Sequence, residues 1–232
     1  MTDKKISVVM AVYNGIPYVQ KAIDSVLSQS YPVSELVVFD DGSFDGTPKL
    51  LAGYKDSRIL VRRFENAGVA VAMNRGLELA TGDYVAFMDH DDVWFRDKLK
   101  KQMAAVSRYP TAGFVCCNYA VRPPGLGGRL VKHFSKLESL KGFNFDDPIL
   151  ADPLRRLLIE NFVGTSSTVL VSRAVIRKAG FLNRDYRITG DYDYWLRCAA
   201  LTDFAVLPDV LFYKRTHAAN ISANESLTIC AR

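Results

Sequence analysis

The alternation of strand and helix signals over the first hundred residues constrains the fold of this chain more than any other feature. Short apolar runs rich in β-branched residues alternate with longer segments whose apolar residues recur at helical spacing. The strand-like runs cover residues 6–12, 35–39, 58–64 and 83–88, and the helix-like segments cover residues 17–30, 47–54, 68–82 and 96–109. This alternation indicates right-handed βαβ units, so we predict an α/β fold with a mainly parallel central sheet flanked by helices.

The second half of the sequence is less regular. Residues 121–148 are rich in glycine, proline and lysine, which predicts a long loop with some local helix. Beyond it we predict strands at residues 166–172 and 204–217, the latter interrupted by a proline, and helices at residues 152–162, 173–180 and 190–201.

Charge and cysteine content narrow the choice of partner and compartment. The 232 residues carry a formal net charge of +5, which favours anionic partners such as nucleotides, phosphorylated substrates or acidic membranes, or serves only solubility. The start "MTDKKISVVM" has no processing site, and no apolar run approaches the roughly 18 residues that span a bilayer. The cysteines at positions 116, 117, 198 and 230 have neither a CxxC nor a zinc spacing. We therefore expect reduced thiols and a cytoplasmic location.

Two acidic clusters each follow a predicted strand directly. They are Asp-Asp at residues 40–41 and Asp-His-Asp-Asp at residues 89–92. In sheets of this kind ligands bind beyond the carboxyl ends of the strands, so both clusters are expected on the rim where a ligand binds. Three carboxylates within four residues repel one another, which requires a cation or good solvation at that rim.

The second cluster has the pattern of a divalent-cation site. Alternate side chains of an extended segment share a face, so Asp89 and Asp91 point the same way and His90 points away. Carboxylate oxygens select hard cations such as Mg²⁺ or Mn²⁺, and such an ion can bridge two phosphates and neutralise a diphosphate leaving group. The alternative is a set of solvated loop acids that cap a helix.

Two acidic stretches of the sequence can each be interpreted in two ways. Asp40 or Asp41, before Gly42, accepts hydrogen bonds from a nucleobase edge or ribose hydroxyls, or both aspartates shape an Asx-turn. Asp191 and Asp193 fall at the predicted start of a helix, where both cap the helix or Asp191 acts as a general base.

Taken together, the motifs resemble those of the family 2 inverting glycosyltransferases with a GT-A fold. The matching stretches, in the family's order and spacing, are "ISVVMAVYNG", "ELVVFDDGSFDGT", "NAGVAVAMNRGLELATGDYVAFMDHDD" and "GDYDYWLR", and the resemblance covers roughly residues 5–217. It implies direct displacement at the anomeric carbon of a nucleotide-diphospho-sugar, with Mn²⁺ or Mg²⁺ as cofactor. A UDP-sugar donor and a role in bacterial cell-surface polysaccharide or glycolipid synthesis are the expectations.

The resemblance also implies roles for individual residues. Asp191 matches the catalytic base, and Asp91, Asp89 and His217 match metal-binding positions. The expected nucleotide-sugar contacts are Ala11, Tyr13, Asp41, Arg75, Asp89 and His90. Met73 stands where the family often has arginine, with Arg75 as the substitute cation, and Gly190 replaces an acid that commonly precedes the base.

We expect one domain over residues 1–232. A nucleotide-sugar-binding half covers about residues 1–120, an acceptor and catalytic-base half about residues 121–217, and a tail residues 218–232. The acceptor is expected to be a carbohydrate or a lipid-linked molecule. Basic stretches such as "RDKLKK" and "KHFSKLESLK" either dock on the inner face of a membrane or are solvated helix faces.

Other functions fit the sequence less well. A nucleotidylyltransferase would open with a glycine-rich basic loop, whereas "AVYNGIPY" has one glycine and no Lys or Arg. No nucleic-acid-binding motif is present, and "GLGG" follows two prolines rather than a strand, which argues against dinucleotide binding. A catalytically inactive nucleotide-sugar-binding module remains the alternative.

Overall fold

The computed structural model of the chain describes residues 4–121, 130–186 and 189–217. The strands in these ranges are β1 (Ile6–Val12), β2 (Glu35–Asp40), β3 (Ile59–Arg63), β4 (Tyr84–Asp89), β5 (Val93–Trp94), β6 (Ala112–Val121), β7 (Val131–Lys132), β8 (Ile149–Leu150), β9 (Leu170–Ser172) and β10 (Asp203–Lys214). The helices are α1 (Val19–Leu27), α2 (Thr47–Ala52), α3 (Val69–Leu79), α4 (Lys98–Arg108), α5 (Pro153–Ile159), α6 (Arg173–Ala179) and α7 (Gly190–Ala199). The predicted tail at residues 218–232, with Cys230, lies outside the described residues, as do residues 122–129 of the predicted loop.

The strands form one sheet in the order β3-β2-β1-β4-β9-β6-β10-β5, with β7 paired to β6 and β8 paired to β10. The run β3-β2-β1-β4 is parallel throughout. Ala11 of β1 lies in register with Asp89 on one side, and Val12 lies in register with Asp40 on the other. The predicted α/β fold is therefore confirmed. The two acidic clusters lie at the carboxyl ends of β2 and β4, the strands on either side of β1.

The second half adds strands of both directions. β9 is antiparallel to both β4 and β6, whereas the long strand β10 runs parallel to β6 with irregular register around Pro208. The predicted strand at residues 166–172 is wrong in its first part, because residues 166–168 form a 3-10 turn. There the Thr168 hydroxyl donates to the carbonyls of Val163 and Thr165, a local bond that replaces pairing in a sheet.

Both faces of the sheet are covered by apolar side chains. Along β1, Val9 and Ala11 pack on the face that carries α3 and α7, while Val8 and Met10 pack on the face that carries α1 and α4. Cys116 and Cys117 of β6 are likewise fully buried, and neither is in a disulfide. Within the described ranges, no helix has the length and hydropathy needed to cross a membrane.

A buried lysine joins α4 to the sheet. The ammonium nitrogen of Lys98 lies 3.9 Å from the centroid of the Trp94 ring and donates a 2.8 Å hydrogen bond to the Gln102 side chain. Gln102 in turn donates to the carbonyl of Thr168. The basic stretch at residues 96–101 is therefore not a uniform surface cluster, because Lys98 lies in the core.

Burial lowers the pKa of Lys98 from its ordinary value of 10.5 to about 8. Between these two pH values the unfolded chain holds a proton that the folded chain does not, so this residue's contribution to folding stability rises with pH. We predict that replacing Lys98 with Met removes this contribution. The unfolding free energy of the variant, relative to wild type, should then fall as the pH is raised from 7 to 10 in urea titrations.

The exposed Lys141→Met is the matched control for this titration, because its side chain is 79% exposed. If the unfolding free energy of Lys98→Met relative to wild type stayed constant over the same pH range, the lowered pKa of Lys98 would be contradicted.

Candidate active site

The loops after β1 and β2 are tied together at the carboxyl edge of the sheet. The backbone N–H of Asn14 donates to the Ser43 hydroxyl at 2.9 Å, and the N–H of Phe44 donates to the Asn14 side-chain oxygen at 3.0 Å. The N–H of Gly15 donates to the Thr47 hydroxyl at 2.9 Å. Asn14 has a positive φ of 50°, which asparagine tolerates better than most residues. These hydrogen bonds hold the loop after β1 against the loop after β2, next to the first acidic cluster.

The two aspartates of the first cluster have different partners. One oxygen of Asp40 accepts a 2.8 Å hydrogen bond from the N–H of Ser43, and the other lies 3.2 Å from Nε of Arg63. Asp40 therefore shapes the turn, as the Asx-turn alternative holds. The oxygens of Asp41 instead accept from the N–H groups of Ala67 and Gly68, at 2.9 Å each, just before α3.

Asp41 still has acceptor capacity, since each carboxylate oxygen can accept about two hydrogen bonds. Beside it lies a pocket of about 540 Å³, a size usual for small-ligand sites. Its lining residues are Gly42, Arg63, Phe64, Glu65 and Asn66. The pocket is thus lined by the residue that follows Asp41 and by one aromatic side chain, Phe64.

Arg75 lies at this pocket rather than among the acids of the second cluster. Its guanidinium carbon is 4.2 Å from the centroid of the Phe64 ring, whereas Met73 is buried in the core. Tyr13 is 44% exposed and meets the exposed ring of Phe44 edge-on at 6.0 Å. Tyr13 thus lies where the loops after β1 and β2 meet, whereas Arg75 lies against the residue that follows β3. Ala11 is buried on β1.

The acids of the second cluster are held by residues from distant segments. The Thr165 hydroxyl donates to the Asp89 carboxylate, and the N–H of Asp89 donates to the Ser167 hydroxyl at 3.0 Å. The Asp91 carboxylate lies 3.1 Å from Nε2 of His217. The structure therefore brings Asp91 and His217 into contact, whereas Asp89 is held by Thr165 and Ser167. The three side chains of the metal assignment are not arranged to hold a metal by themselves.

The other two positions of this cluster face different surroundings. Asp92 is 1% exposed, and its carboxylate accepts a 3.3 Å hydrogen bond from the N–H of Arg215. His90 packs against the turn after β1, where a Cβ built on Gly15 would lie only 2.8 Å from its ring. His90 thus helps to fix that turn.

Lys214, at the end of β10, supplies positive charge to the second cluster. Burial raises the pKa of Asp89 and of Asp92, and repulsion from Asp91 raises both further. Burial opposes the charge on Lys214, yet the nearby Tyr119, Asp89, Asp92 and Asp91 raise its pKa overall. Sequence reasoning assigned a role to His217 but none to Lys214, which stands three residues before it in "KRTH".

Asp191 and Asp193 differ in what their carboxylates contact. Burial raises the pKa of Asp191 to about 6, opposed by a 2.7 Å hydrogen bond from the N–H of Tyr192 and reinforced by the negative charge of Asp89. Asp193 is instead paired with Arg197 at 2.9 Å, one helical turn along α7. Asp191 is therefore the carboxylate within electrostatic range of the second acidic cluster, while Asp193 stabilises the helix.

A second wall of the site comes from the irregular part of the chain, and sequence reasoning missed it. The His133 ring stacks on Tyr119 with centroids 4.5 Å apart, and its Nε2 lies 3.2 Å from the carbonyl oxygen of Phe162. Burial lowers the pKa of His133 to about 4, so this histidine is neutral at physiological pH. It lies within the electrostatic range of Lys214 and so borders the acidic cluster.

The residues present fit a hard divalent ion only in part. No three His, Cys, Asp or Glu side chains in the described portion of the chain are arranged to hold a metal by themselves. Asp91 and His217 offer one carboxylate and one imidazole next to each other. That set suits an ion whose remaining ligands are substrate phosphates and water, which is how Mg²⁺ is usually bound in phosphate-handling sites.

The sequence is similar to a known protein family and to individual bacterial proteins. The family model described as Glycosyl transferase family 2 matches residues 7–179. RP339, an uncharacterized glycosyltransferase of Rickettsia prowazekii, is 29% identical over 226 residues, which cover 92% of this chain and 64% of that protein. TuaG of Bacillus subtilis, a putative teichuronic acid biosynthesis glycosyltransferase, is 48% identical over 108 residues, which cover 44% of this chain and 43% of that protein. The chain thus spans less than two thirds of the length of these relatives.

Solved structures share the fold. TarS 1–349 of S. aureus in complex with UDP superimposes with a TM-score of 0.69 and 22% identity, over 91% of this chain and 60% of that one. The mannosyltransferase PcManGT of Pyrobaculum calidifontis, in complex with GDP-Man and Mn²⁺, gives 0.70 and 23%, over 96% of this chain and 60% of that one. At these identities the likeness concerns the fold, which is the GT-A fold. Since the family model also covers most of the sequence, this chain belongs to glycosyl transferase family 2.

Proposed function

We propose that this chain transfers a sugar from a UDP-sugar to an acceptor hydroxyl, with inversion at the anomeric carbon. The observation that carries the proposal is the position of Asp191 at the second acidic cluster, where the charges of Asp89 and Lys214 act on it. The proposed base Asp191, the cation Lys214 and the proposed metal-binding pair Asp91 and His217 all belong to or act on this cluster.

The pocket beside Asp41 is the proposed site of the nucleobase. The remaining lone pairs of Asp41 can accept a hydrogen bond from a ring N–H, and Phe64 with Arg75 provides a flat wall. Supporting this placement, structures of the same fold are described in complex with UDP, with UDP-GlcNAc and with GDP-Man. The choice of UDP over GDP is part of the proposal.

The diphosphate is proposed to lie over the second acidic cluster. Asp91 and His217 would hold Mn²⁺ or Mg²⁺ there, and Asp89 would lie next to the ion. When bound, the ion neutralises negative charge on the departing diphosphate. Lys214 contributes a second positive charge, because its ammonium lies in the field of the same carboxylates. Such fixed charges aimed at a leaving group usually supply the largest single part of the rate enhancement.

Asp191 is proposed to act as the general base. Its carboxylate takes the proton of the acceptor hydroxyl, whose oxygen forms a bond to the anomeric carbon as the bond to the diphosphate breaks. The nucleoside diphosphate leaves with that electron pair, and attack from the opposite side inverts the centre. With a pKa of about 6, Asp191 is mostly ionised at neutral pH and still basic enough to accept a proton.

The acceptor and its location are proposed from the relatives. TuaG is described as a putative teichuronic acid biosynthesis glycosyltransferase and EpsE as a putative glycosyltransferase. We extend the first description to this chain as synthesis of a bacterial cell-surface polysaccharide or glycolipid on a carbohydrate or lipid-linked acceptor. Contact with the inner face of a membrane follows from a lipid-linked acceptor. The competing function, an inactive nucleotide-sugar-binding module, predicts binding without product.

A thermal-shift panel tests donor and metal together. We expect UDP-sugars with Mn²⁺ to raise the melting temperature more than GDP- or dTDP-sugars, and more than either component alone. A ligand at about 100 times its Kd stabilises the folded state by about 2.7 kcal/mol. Asp91→Ala should abolish the dependence on Mn²⁺. Equal shifts with all three nucleotides, or a Mn²⁺ effect retained in Asp91→Ala, would contradict the assignment.

Paired substitutions on α7 test the base. Asp191→Asn should keep the UDP affinity within a few-fold and reduce kcat by about 10³-fold, because general base catalysis contributes about 10²–10⁴-fold. Asp193→Asn should lower the melting temperature and keep most of the turnover, because Asp193 is paired with Arg197. In the wild type, kcat should rise with pH through about 6, where Asp191 loses its proton. If Asp193→Asn lost more kcat than Asp191→Asn, the base would be assigned to Asp193 instead.

Removing Lys214 tests its role as counter-charge. We predict that Lys214→Met melts at least about 2 °C below wild type in EDTA, the shift expected for about 1 kcal/mol in a chain of this size. Because the acids then lack this cation, Mn²⁺ without nucleotide should raise the melting temperature of the variant more than that of wild type. Lys141→Met, far more exposed, serves as control. If Mn²⁺ raised the melting temperature equally in wild type, Lys214→Met and Lys141→Met, the role of Lys214 as counter-charge would be refuted.

A further inference from the structure

A buried asparagine outside the site joins its two halves. Asn74 of α3 is 2% exposed, and its side-chain amide makes two hydrogen bonds to Leu182. Nδ2 donates to the carbonyl of Leu182 at 2.8 Å, and Oδ1 accepts from the N–H of Leu182 at 2.8 Å. The bonds link positions 108 residues apart. They use both the donor and the acceptor end of one amide, which aspartate or alanine cannot reproduce.

Leu182 belongs to the segment that leads from α6 into α7, and α7 holds the same segment from its other side. Arg197 donates to the carbonyl of Phe181 at 2.9 Å and also to the carbonyl of Ala179. Its guanidinium is fixed by Asp193. Backbone groups of three residues in this short segment are therefore held by side chains from two different helices.

The first turn of α7 packs directly on this assembly. A Cβ built on Gly190 would lie 3.5 Å from the carbonyl oxygen of Asn183 and 4.0 Å from Cβ of Ala70 on α3. Asp191 is the next residue along the chain. Its position therefore depends on how the segment and α3 meet.

The other end of α3 is fixed at the proposed nucleobase pocket. Asp41 accepts hydrogen bonds from the N–H groups of Ala67 and Gly68, immediately before the helix begins. Asn74 follows Gly68 by six residues, which corresponds to about 9 Å along a helix at about 1.5 Å per residue. One helix, α3, thus connects the Asp41 carboxylate to the segment that packs on the first turn of α7, where Asp191 lies.

We propose that Asn74 is a positioning residue, which sets the place of Asp191 relative to the bound nucleotide. This inference rests on the proposed function, because it assigns Asn74 to the transfer step of that reaction. Asn74 touches no substrate and acts through Leu182 and α7. Its loss should reduce the rate of transfer and leave nucleotide binding intact, since a displacement of about 1 Å in a reacting group can cost about 10²-fold.

The test compares Asn74→Ala with a control that loses similar bonds elsewhere. Thr202 also ties two backbone groups, as its hydroxyl accepts from the N–H of Gly113 at 2.7 Å and donates to the carbonyl of Thr111 at 3.0 Å. For Asn74→Ala we expect the Kd of UDP, by calorimetry with Mn²⁺, to stay within threefold and kcat to fall at least tenfold. Thr202→Val should lose stability and keep kcat within twofold.

A double variant adds a second readout. Asn74→Ala and Arg197→Met act on the same segment, so their combined loss in kcat should be smaller than the product of the single losses. A kcat of Asn74→Ala within twofold of wild type, a UDP affinity that falls as much as kcat, or multiplicative losses in the double variant would each overturn the role.

Hydrogen exchange separates failure of this inference from failure of the proposed function. If the wild-type protein turns over no tested donor, the proposed activity fails, and UDP-induced protection of the amides at residues 180–186 and 189–196 decides the coupling. Protection present in wild type and in Thr202→Val but lost in Asn74→Ala supports the positioning role. Protection that is equal in all three proteins, or absent from wild type, overturns it.

Discussion

Three aspartates can share the end of one strand here because another strand brings positive charge and hydrogen-bond donors to them. β10 ends at the same edge of the sheet as β4, and its last residue, Lys214, together with the residues that follow it, acts on all three acids. Lys214 acts on them electrostatically, the N–H of Arg215 donates to Asp92, and His217 contacts Asp91. Without this neighbour the repulsion within residues 89–92 would destabilise the folded chain or raise the pKa of the acids further. The parallel pairing of β10 with β6 therefore determines whether the site can exist.

The same crowding of charge gives the acids different chemical characters. Asp41 and Asp193 each contact partners within the protein. Asp41 stabilises the turn before α3, and Asp193 stabilises α7. Asp191 has fewer such partners and a neighbour of like charge, so its pKa lies at about 6 and it is suited to accept a proton. Acids of identical type thus divide into structural, proposed binding and proposed catalytic roles through burial and neighbours.

Local pattern was sufficient for one half of the molecule and insufficient for the other. The strands from β1 to β4 and the helices between them follow from apolar runs and helical spacing, and the edge that carries both acidic clusters follows from parallel topology. β9 has only three residues and lies antiparallel between β4 and β6, which are distant in sequence. The spacing of apolar residues along the chain does not indicate such a pairing. Lys214 and His133 were missed for the same reason, because their roles arise from contacts across the sheet. Asp191 is the proposed base through the family resemblance. The structure adds the pairing of Asp193 with Arg197, which the spacing of the sequence allowed but did not require.

The most direct test of the proposed metal site is anomalous diffraction at the manganese edge from crystals grown with UDP and Mn²⁺. We expect a single manganese peak that contacts the Asp91 carboxylate and the diphosphate, with the uracil beside Asp41. A manganese ion bound away from residues 89–92, or a UDP molecule bound without contact to that ion, would contradict it.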